Sequence, residues 1–235
     1  MRRMLNFLLS LILALTCISP VCVFADGKTA VKADEQAEER AAVLSELGII
    51  SDYTADSDVT KSLIDDVITR VTGTKAATIK FLNENYRDSQ LTAAQTAAVM
   101  LDILGYTNYI KVTGGAYNAN SVYRTADRVG ILKGVSAGRG DYLKTADFVK
   151  MLYNTLFEAD MMDAVNWGDT VKYEIKENKT AAYTYMNIVT AEGVVFASGK
   201  LNMTTKNELE PEGMILGNTE YTYKQLPDPD TVIGR

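Results

Sequence analysis

The chain contains no histidine, and its two cysteines, Cys17 and Cys22, fall within the first 22 residues. Lack of imidazole removes the commonest general base and the usual zinc ligand, and beyond residue 22 there is no thiol for nucleophilic attack or a disulfide. Proline is scarce: four in 235 residues, three of them after residue 210, which suits a helical body with an irregular tail. Basic residues are scattered and outnumbered, 24 against 30 acidic, so no clustered positive face meets nucleic-acid phosphates. There is no nucleophile elbow, no phosphate-cradling glycine loop and no paired-histidine zinc helix. Carboxylate pairs such as Glu38-Glu39, Asp65-Asp66 and Asp228/Asp230 lie in polar surroundings without a convergent partner, and read as solvated faces. No catalytic residue, metal site or cofactor is expected.

What is present begins at the N-terminus. Arg2 and Arg3 precede an apolar run over residues 5–21, followed by Val23-Phe24-Ala25. A charged start, an apolar middle and a small-x-small exit form a secretory signal peptide, with cleavage expected after Ala25. Asn6, Ser10, Thr16, Ser19 and Pro20 interrupt a stretch already marginal for spanning about 30 Å of hydrocarbon. Ser19-Pro20-Val21 ahead of Cys22 is not a lipidation signal. Removing residues 1–25 leaves 22 basic against 30 acidic residues, a net charge of −8. Without thiols, an exported chain must draw its stability from a packed core.

Residues 26–33 read as a polar lead-in. From Asp34 a grammar recurs. Ala37, Ala41, Leu44 and Leu47 are spaced as one helical face, and Gly48-Ile49-Ile50 stops the helix. A polar loop leads to Thr60, an expected N-cap, and to a second helix with Leu63, Ile64, Val67, Ile68 and Val71 as its apolar stripe before Gly73. Thr92 is expected to cap a helix with Thr96, Val99, Met100, Ile103 and Leu104 inward, closed by Gly105-Tyr106. Val122, Ala126 and Val129 form a face closed by Gly130-Ile131-Leu132. A glycine-containing loop, with a tight turn at Gly138-Arg139-Gly140-Asp141, leads to a helix carrying Phe148, Met151, Leu152, Thr155 and Leu156. The unit is helix, Gly-Ile-aliphatic, polar loop, capped helix. Two helices cannot bury their stripes alone, so neighbouring units pack together. The first helix of the middle copy is eroded and is expected at residues 76–83.

From Thr170 the period becomes two. Val171-Tyr173-Ile175 and Tyr183-Tyr185 alternate, and Val194-Val195-Phe196, Leu201-Met203, Ile215 and Tyr221-Tyr223 follow as short runs. These read as strands of a small antiparallel sheet. The expected organisation is α+β: a three-repeat helical domain over residues 34–163, a small β domain over 168–226 and a mobile tail over 227–235.

Leu44-Ser45-Glu46-Leu47-Gly48-Ile49-Ile50 followed by Val59-Thr60-Lys61-Ser62 resembles the S-layer homology (SLH) repeat. Leu91-Thr92-Ala93-Ala94-Gln95 running into Leu104-Gly105-Tyr106 resembles the second half of another copy. Residues 126–135 through Leu152-Tyr153-Asn154-Thr155-Leu156-Phe157 look most like the third. The resemblance implies degenerate SLH repeats in a non-enzymatic protein held on the cell wall or extracellular surface by an anionic, pyruvylated secondary cell-wall polysaccharide. After signal cleavage no membrane or nucleic-acid partner is expected. The family grips its ligand through an arginine in a Thr-Arg-Ala-Glu pattern near a helix terminus.

Here that pattern becomes Thr60-Lys61-Ser62-Leu63, Thr92-Ala93-Ala94-Gln95 and Lys144-Thr145-Ala146-Asp147. Lysine attracts a carboxylate as a point charge but lacks the bidentate fork. The glycan-binding candidates are Lys61, Lys144, Arg124 and Arg128. Arg124 and Arg128, four apart on one helix, either line a groove or pair with Asp127 or Glu158. Tyr106, Tyr109, Tyr117 and Tyr123 either stack on sugar rings or cover a core edge. The alternative function is a structural, protein-binding scaffold whose repeats no longer take glycan.

Overall fold

The computed structural model describes residues 34–73, 90–113, 117–167, 170–190, 195–198, 201–202, 213–216 and 219–222 of the chain. The expected signal peptide, the lead-in, the middle copy's first helix at 76–83 and the tail lie outside the described residues. The fold is α+β, and Asn187 closes one compact unit while Ile188 begins the part of the chain that belongs to another.

Helix α1 (Glu35–Glu46) starts where the Asp34 carboxylate accepts the Ala37 N–H at 3.3 Å, with Glu35 and Glu38 complementing the positive helix end. It ends as the glycine predicts. Gly48 adopts φ +70°, its N–H reaches the Ser45 carbonyl at 2.9 Å, and the Ile49 N–H reaches the Leu44 carbonyl at 2.9 Å. This paired closure turns the next side chain into the core. The same pair ends α3 (Ala93–Ile103) at Gly105-Tyr106 and α5 (Ala119–Arg128) at Gly130-Ile131. Ile49, Tyr106 and Ile131 are accordingly buried.

Helix α2 (Lys61–Thr72) is capped by Thr60, buries Ile64, Val67, Ile68 and Val71, and stops at Gly73. Leu63, expected in that stripe, is only half-buried. Thr92 caps helix α3 as expected, and Gln95 completes a capping box with it. Helix α4 (Thr107–Thr113) follows it at once, and α6 (Thr145–Tyr153) continues into a π-type turn at Asn154–Glu158. Helix α1 packs on α6, and α3 on α5.

The segments before α2, α3 and α6 meet in a closed cycle. The Val59 N–H donates to the Leu143 carbonyl (3.1 Å), the Leu143 N–H to the Leu91 carbonyl (2.8 Å), and the Leu91 N–H to the Val59 carbonyl (2.9 Å). All three side chains are fully buried. Single antiparallel bridges flank the cycle at Asp58/Lys144, Thr60/Gln90 and Thr92/Tyr142.

The β part departs from expectation in two places. A strand, β1 (Asp160–Trp167), begins straight after the π-type turn and pairs antiparallel with β2 (Thr170–Thr180), Met162 opposite Ile175 and Ala164 opposite Tyr173. This hairpin belongs to the unit of the helices, so the break expected between residues 163 and 168 falls inside that unit. Tyr183-Tyr185, predicted as strand, lies in helix α7 (Ala181–Met186). Thr180 caps it by accepting the Tyr183 N–H at 3.3 Å, and Ala181 and Ala182 are fully buried, so cap and anchor outweigh a two-residue alternation. In the other unit, β3 (Val195–Ser198), β4 (Leu201–Asn202), β5 (Gly213–Leu216) and β6 (Thr219–Thr222) form an antiparallel sheet in the order β4-β3-β5-β6.

The hairpin is fixed to the helices by the Met162 N–H, which donates to the Leu104 carbonyl at 2.8 Å. A Cβ on Gly105 would lie 2.3 Å from the Met162 carbonyl oxygen, whereas one on Gly48 meets nothing within 4 Å. Both glycines have positive φ. Gly48→Ala is therefore expected to lower unfolding free energy by about 1 kcal/mol, and Gly105→Ala by about 3 kcal/mol or more, since a backbone clash adds to the conformational strain. Urea unfolding followed by circular dichroism checks this; equal losses would show that the close approach is unimportant.

Candidate functional site

The four basic candidates lie on three elements. Lys61 lies in the first turn of α2, where its Nζ meets Asp65 Oδ2 at 2.5 Å one turn later. Lys144 directly precedes α6 and reaches Asp58 Oδ1 at 2.6 Å across the bridge between their strands. That pair accounts for the basic residue displaced by one place in the third copy. Arg124 is exposed on α5, and Arg128 lies in the last turn of the same helix, where a cation complements the negative helix end. Neither arginine pairs with Asp127 or Glu158 among the described residues. Glu158 instead accepts from Arg40 at 3.0 Å and Lys133 at 3.1 Å.

The N-termini of α3 and α6 are occupied by backbone. The Ala93 and Ala94 N–H groups donate to the Asp141 and Arg139 carbonyls at 3.0 and 3.1 Å. The Thr145 and Ala146 N–H groups donate to the Ser57 and Ala55 carbonyls at 2.9 and 3.1 Å. Donors so used are not offered to an anion. The loop that closes α3 holds the expected tight turn, with the Asp141 carboxylate accepting the Gly138 N–H at 2.7 Å.

Two buried cations escaped the sequence reading. Arg40 and Lys150 are 7% and 4% exposed. The Arg40 guanidinium lies 4.9 Å over the Tyr153 ring while it bonds Glu158. Lys150 bonds Asp34 and, at 3.4 Å, Asp147. Asp147 also accepts from the Ser136 N–H (3.1 Å), the Ser136 hydroxyl (2.7 Å) and the Ala137 N–H (2.9 Å), which fixes the loop before α6. The spacing contained a signal. Ala37, Arg40, Ala41 and Leu44 share one helical face, so the arginine lies on the apolar stripe.

Arg128 borders a groove of about 330 Å³ that also draws on Tyr106, Tyr109, Glu158, Asp160 and Ile175. The ends of α3 and α5, helix α4, the π-type turn and the hairpin all contribute to it. Tyr106 is buried and donates its hydroxyl to the Asp160 carbonyl at 3.3 Å. Burial raises the pKa of its phenol. Tyr109 is half-buried and makes edge contacts with Tyr106 and Tyr173, at ring separations of 6.3 and 5.9 Å. The other two candidate tyrosines serve elsewhere: Tyr123 donates to the Ala137 carbonyl at 2.8 Å, and Tyr117 lies 5.7 Å from Lys111 Nζ.

Among the described residues no cluster of acidic side chains is placed to hold a metal ion, and no helix is long and apolar enough to cross a membrane. Comparison with family models, with curated proteins and with solved structures finds no match to this chain.

The acid groups make pH dependence a test of this electrostatic picture. Burial tends to raise the Asp34 pKa, but hydrogen bonds from Lys150 and the Ala37 N–H overcome it and leave the group below its ordinary value. Asp58 is likewise lowered, by hydrogen bonds from Lys144 and Gln90. A lowered folded-state pKa stabilises above the unfolded value, near 3.8, and that contribution is lost as pH falls through the folded pKa. Asp102 is the reverse: burial raises it, partly offset by the Thr107 hydroxyl at 2.7 Å, so its ionised form opposes folding. At pH 7, Asp34→Asn is expected to lower stability by about 1 kcal/mol, since the partner is charged but the site is partly exposed, and to flatten the loss below pH 4. Asp102→Asn is expected to raise stability. Urea midpoints across pH 3–7 check both signs.

Proposed function

We propose that this chain is a non-enzymatic, exported cell-envelope protein whose helical part is a degenerate SLH-like module associating with an anionic secondary cell-wall polysaccharide. The observation that carries this reading is the closed cycle of Val59, Leu91 and Leu143. Three segments with the same local role, each leading into an amphipathic helix, meet head to tail about one point. These are the segments in which the sequence resembles the repeat. A fold that shelters recurring helix pairs leaves grooves at its surface rather than a reactive centre.

The site geometry narrows how such a polymer would be held. Lys144 is engaged by Asp58 across the fold, and the ends of α3 and α6 are closed, so attraction falls to the α5 arginines and to Lys61, whose partner Asp65 lies one turn along the same partly exposed helix face. Those closures also support the second reading, a protein-binding scaffold without glycan affinity.

Co-sedimentation with purified wall sacculi at low salt separates the two. Anchoring predicts that the protein pellets, that stripping the secondary polymer from the sacculi abolishes this, and that Lys61→Ala raises the half-saturating concentration about threefold to tenfold, as for one charged contact. Lys111→Ala, which removes a cation distant from the repeat signature, is expected to change it less. Failure to pellet favours the scaffold. Release of sugar or peptide from the sacculi would overturn the non-enzymatic reading.

A further inference from the structure

Opposite charges that border one groove normally collapse onto each other. Here they do not. Arg128 and Asp160 both line the groove beside Tyr109, yet no ion pair joins them among the described residues. Asp160 is anchored by its other side: its Oδ1 accepts the Asn178 N–H at 3.0 Å, where the hairpin bulges and Asn178 takes φ 63°. Its Oδ2 accepts no hydrogen bond within the described residues. Glu158 is fixed by Arg40 and Lys133, which neutralise its charge while leaving lone pairs free on both oxygens. Helix α5 holds Arg128 from one side and the bulged hairpin holds Asp160 from the other.

We infer that this groove binds a hexopyranose ring through vicinal hydroxyls, which donate to the Asp160 carboxylate and accept from the Arg128 guanidinium. A vicinal diol presents a donor and an acceptor a few ångströms apart, which a simple anion or cation does not. Charged partners strengthen such bonds. The apolar edge of Tyr109 and the Ile175 side chain, 55% exposed, offer contact for the C–H face of the ring. The volume of about 330 Å³ suits one or two sugar units. Arg128 belongs both to this groove and to the attraction proposed above, but the groove recognises hydroxyls and not an acid group, so the two readings are told apart by the ligand used.

The test is a titration of the isotope-labelled protein with methyl α-D-mannopyranoside and methyl α-D-glucopyranoside, followed by NMR. Saturable shifts are expected at residues 106–109, 125–129 and 158–162, with Kd of about 1–10 mM, as for a small ligand with few contacts. Arg128→Gln and Asp160→Asn should each weaken binding at least tenfold. Asp160→Asn keeps an oxygen for the Asn178 N–H, so its melting temperature should stay near that of the parent. The tetra-O-methyl derivative of either sugar should produce no shift. Absence of saturable shifts with the free hexosides, survival of binding in Arg128→Gln, or equal binding of the methylated sugar would each overturn the inference. Tighter binding of glucuronate than of the neutral hexosides would overturn it too, by showing recognition of an acid. Pelleting with sacculi is read separately. Loss of pelleting with the NMR shifts intact removes wall anchoring alone, and intact pelleting of the parent protein without saturable shifts removes the groove alone.

Discussion

Three backbone hydrogen bonds, from Val59 to Leu143, Leu143 to Leu91 and Leu91 to Val59, tie together the segments from which α2, α3 and α6 start. Each residue gives one N–H and receives one at its carbonyl, so a buried backbone that could join neither helix nor sheet is satisfied internally. Removing any single bond strands a donor and an acceptor away from water, at about 1–3 kcal/mol for the group left unpaired. The cycle also fixes where α2, α3 and α6 start, because each begins two residues after its member. With the starts fixed, loops 55–57 and 139–141 come to rest on neighbouring helix ends and supply the carbonyls that close them. A site that the sequence pattern assigns to helix termini is thus consumed by the architecture that creates those termini.

The same economy governs the charges. Arg40, Lys61, Lys133, Lys144 and Lys150 are committed to carboxylates within the unit. Two of them are buried where α1 packs on α6. A buried cation that lost its partner would be severely destabilising, so such residues come in sets: Asp34, Lys150 and Asp147 in one, Arg40, Glu158 and Lys133 in the other. Arg128 stands outside these sets, and it borders the groove without an ion-pair partner among the described residues.

Glycine and threonine made the helices legible. Gly48, Gly105 and Gly130 occupy the left-handed position that only glycine takes cheaply, and Thr60 and Thr92 cap as a hydroxyl should. These signals are local, so a sequence carries them in full. The cycle is not local: it joins residues far apart in the chain, and nothing at Val59, Leu91 or Leu143 marks them as partners beyond being apolar. Tyr183-Tyr185 misled because alternation over three residues is weaker than a cap plus two buried alanines. Of the site candidates, Arg128, Tyr106 and Tyr109 border the groove, and Asp160 was invisible because its place there depends on a hairpin one strand longer than the periodicity showed.

The hairpin is what distinguishes one helix end from another. The ends of α1, α3 and α5 share a closure, yet their surroundings differ. The Gly48 carbonyl at the end of α1 accepts from Arg70 at 3.3 Å. At the end of α3, β1 approaches so closely that position 105 excludes any side chain, and the end of α5 forms the facing wall. A helix C-terminus carries partial negative charge, which favours a cation in its last turn, and Arg128 meets that condition at the wall of the groove. Repetition therefore supplies the frame and the hairpin supplies the exception. Among the described residues, the strand that completes the groove is added where α3 ends at Gly105, and not to the cycle as a whole.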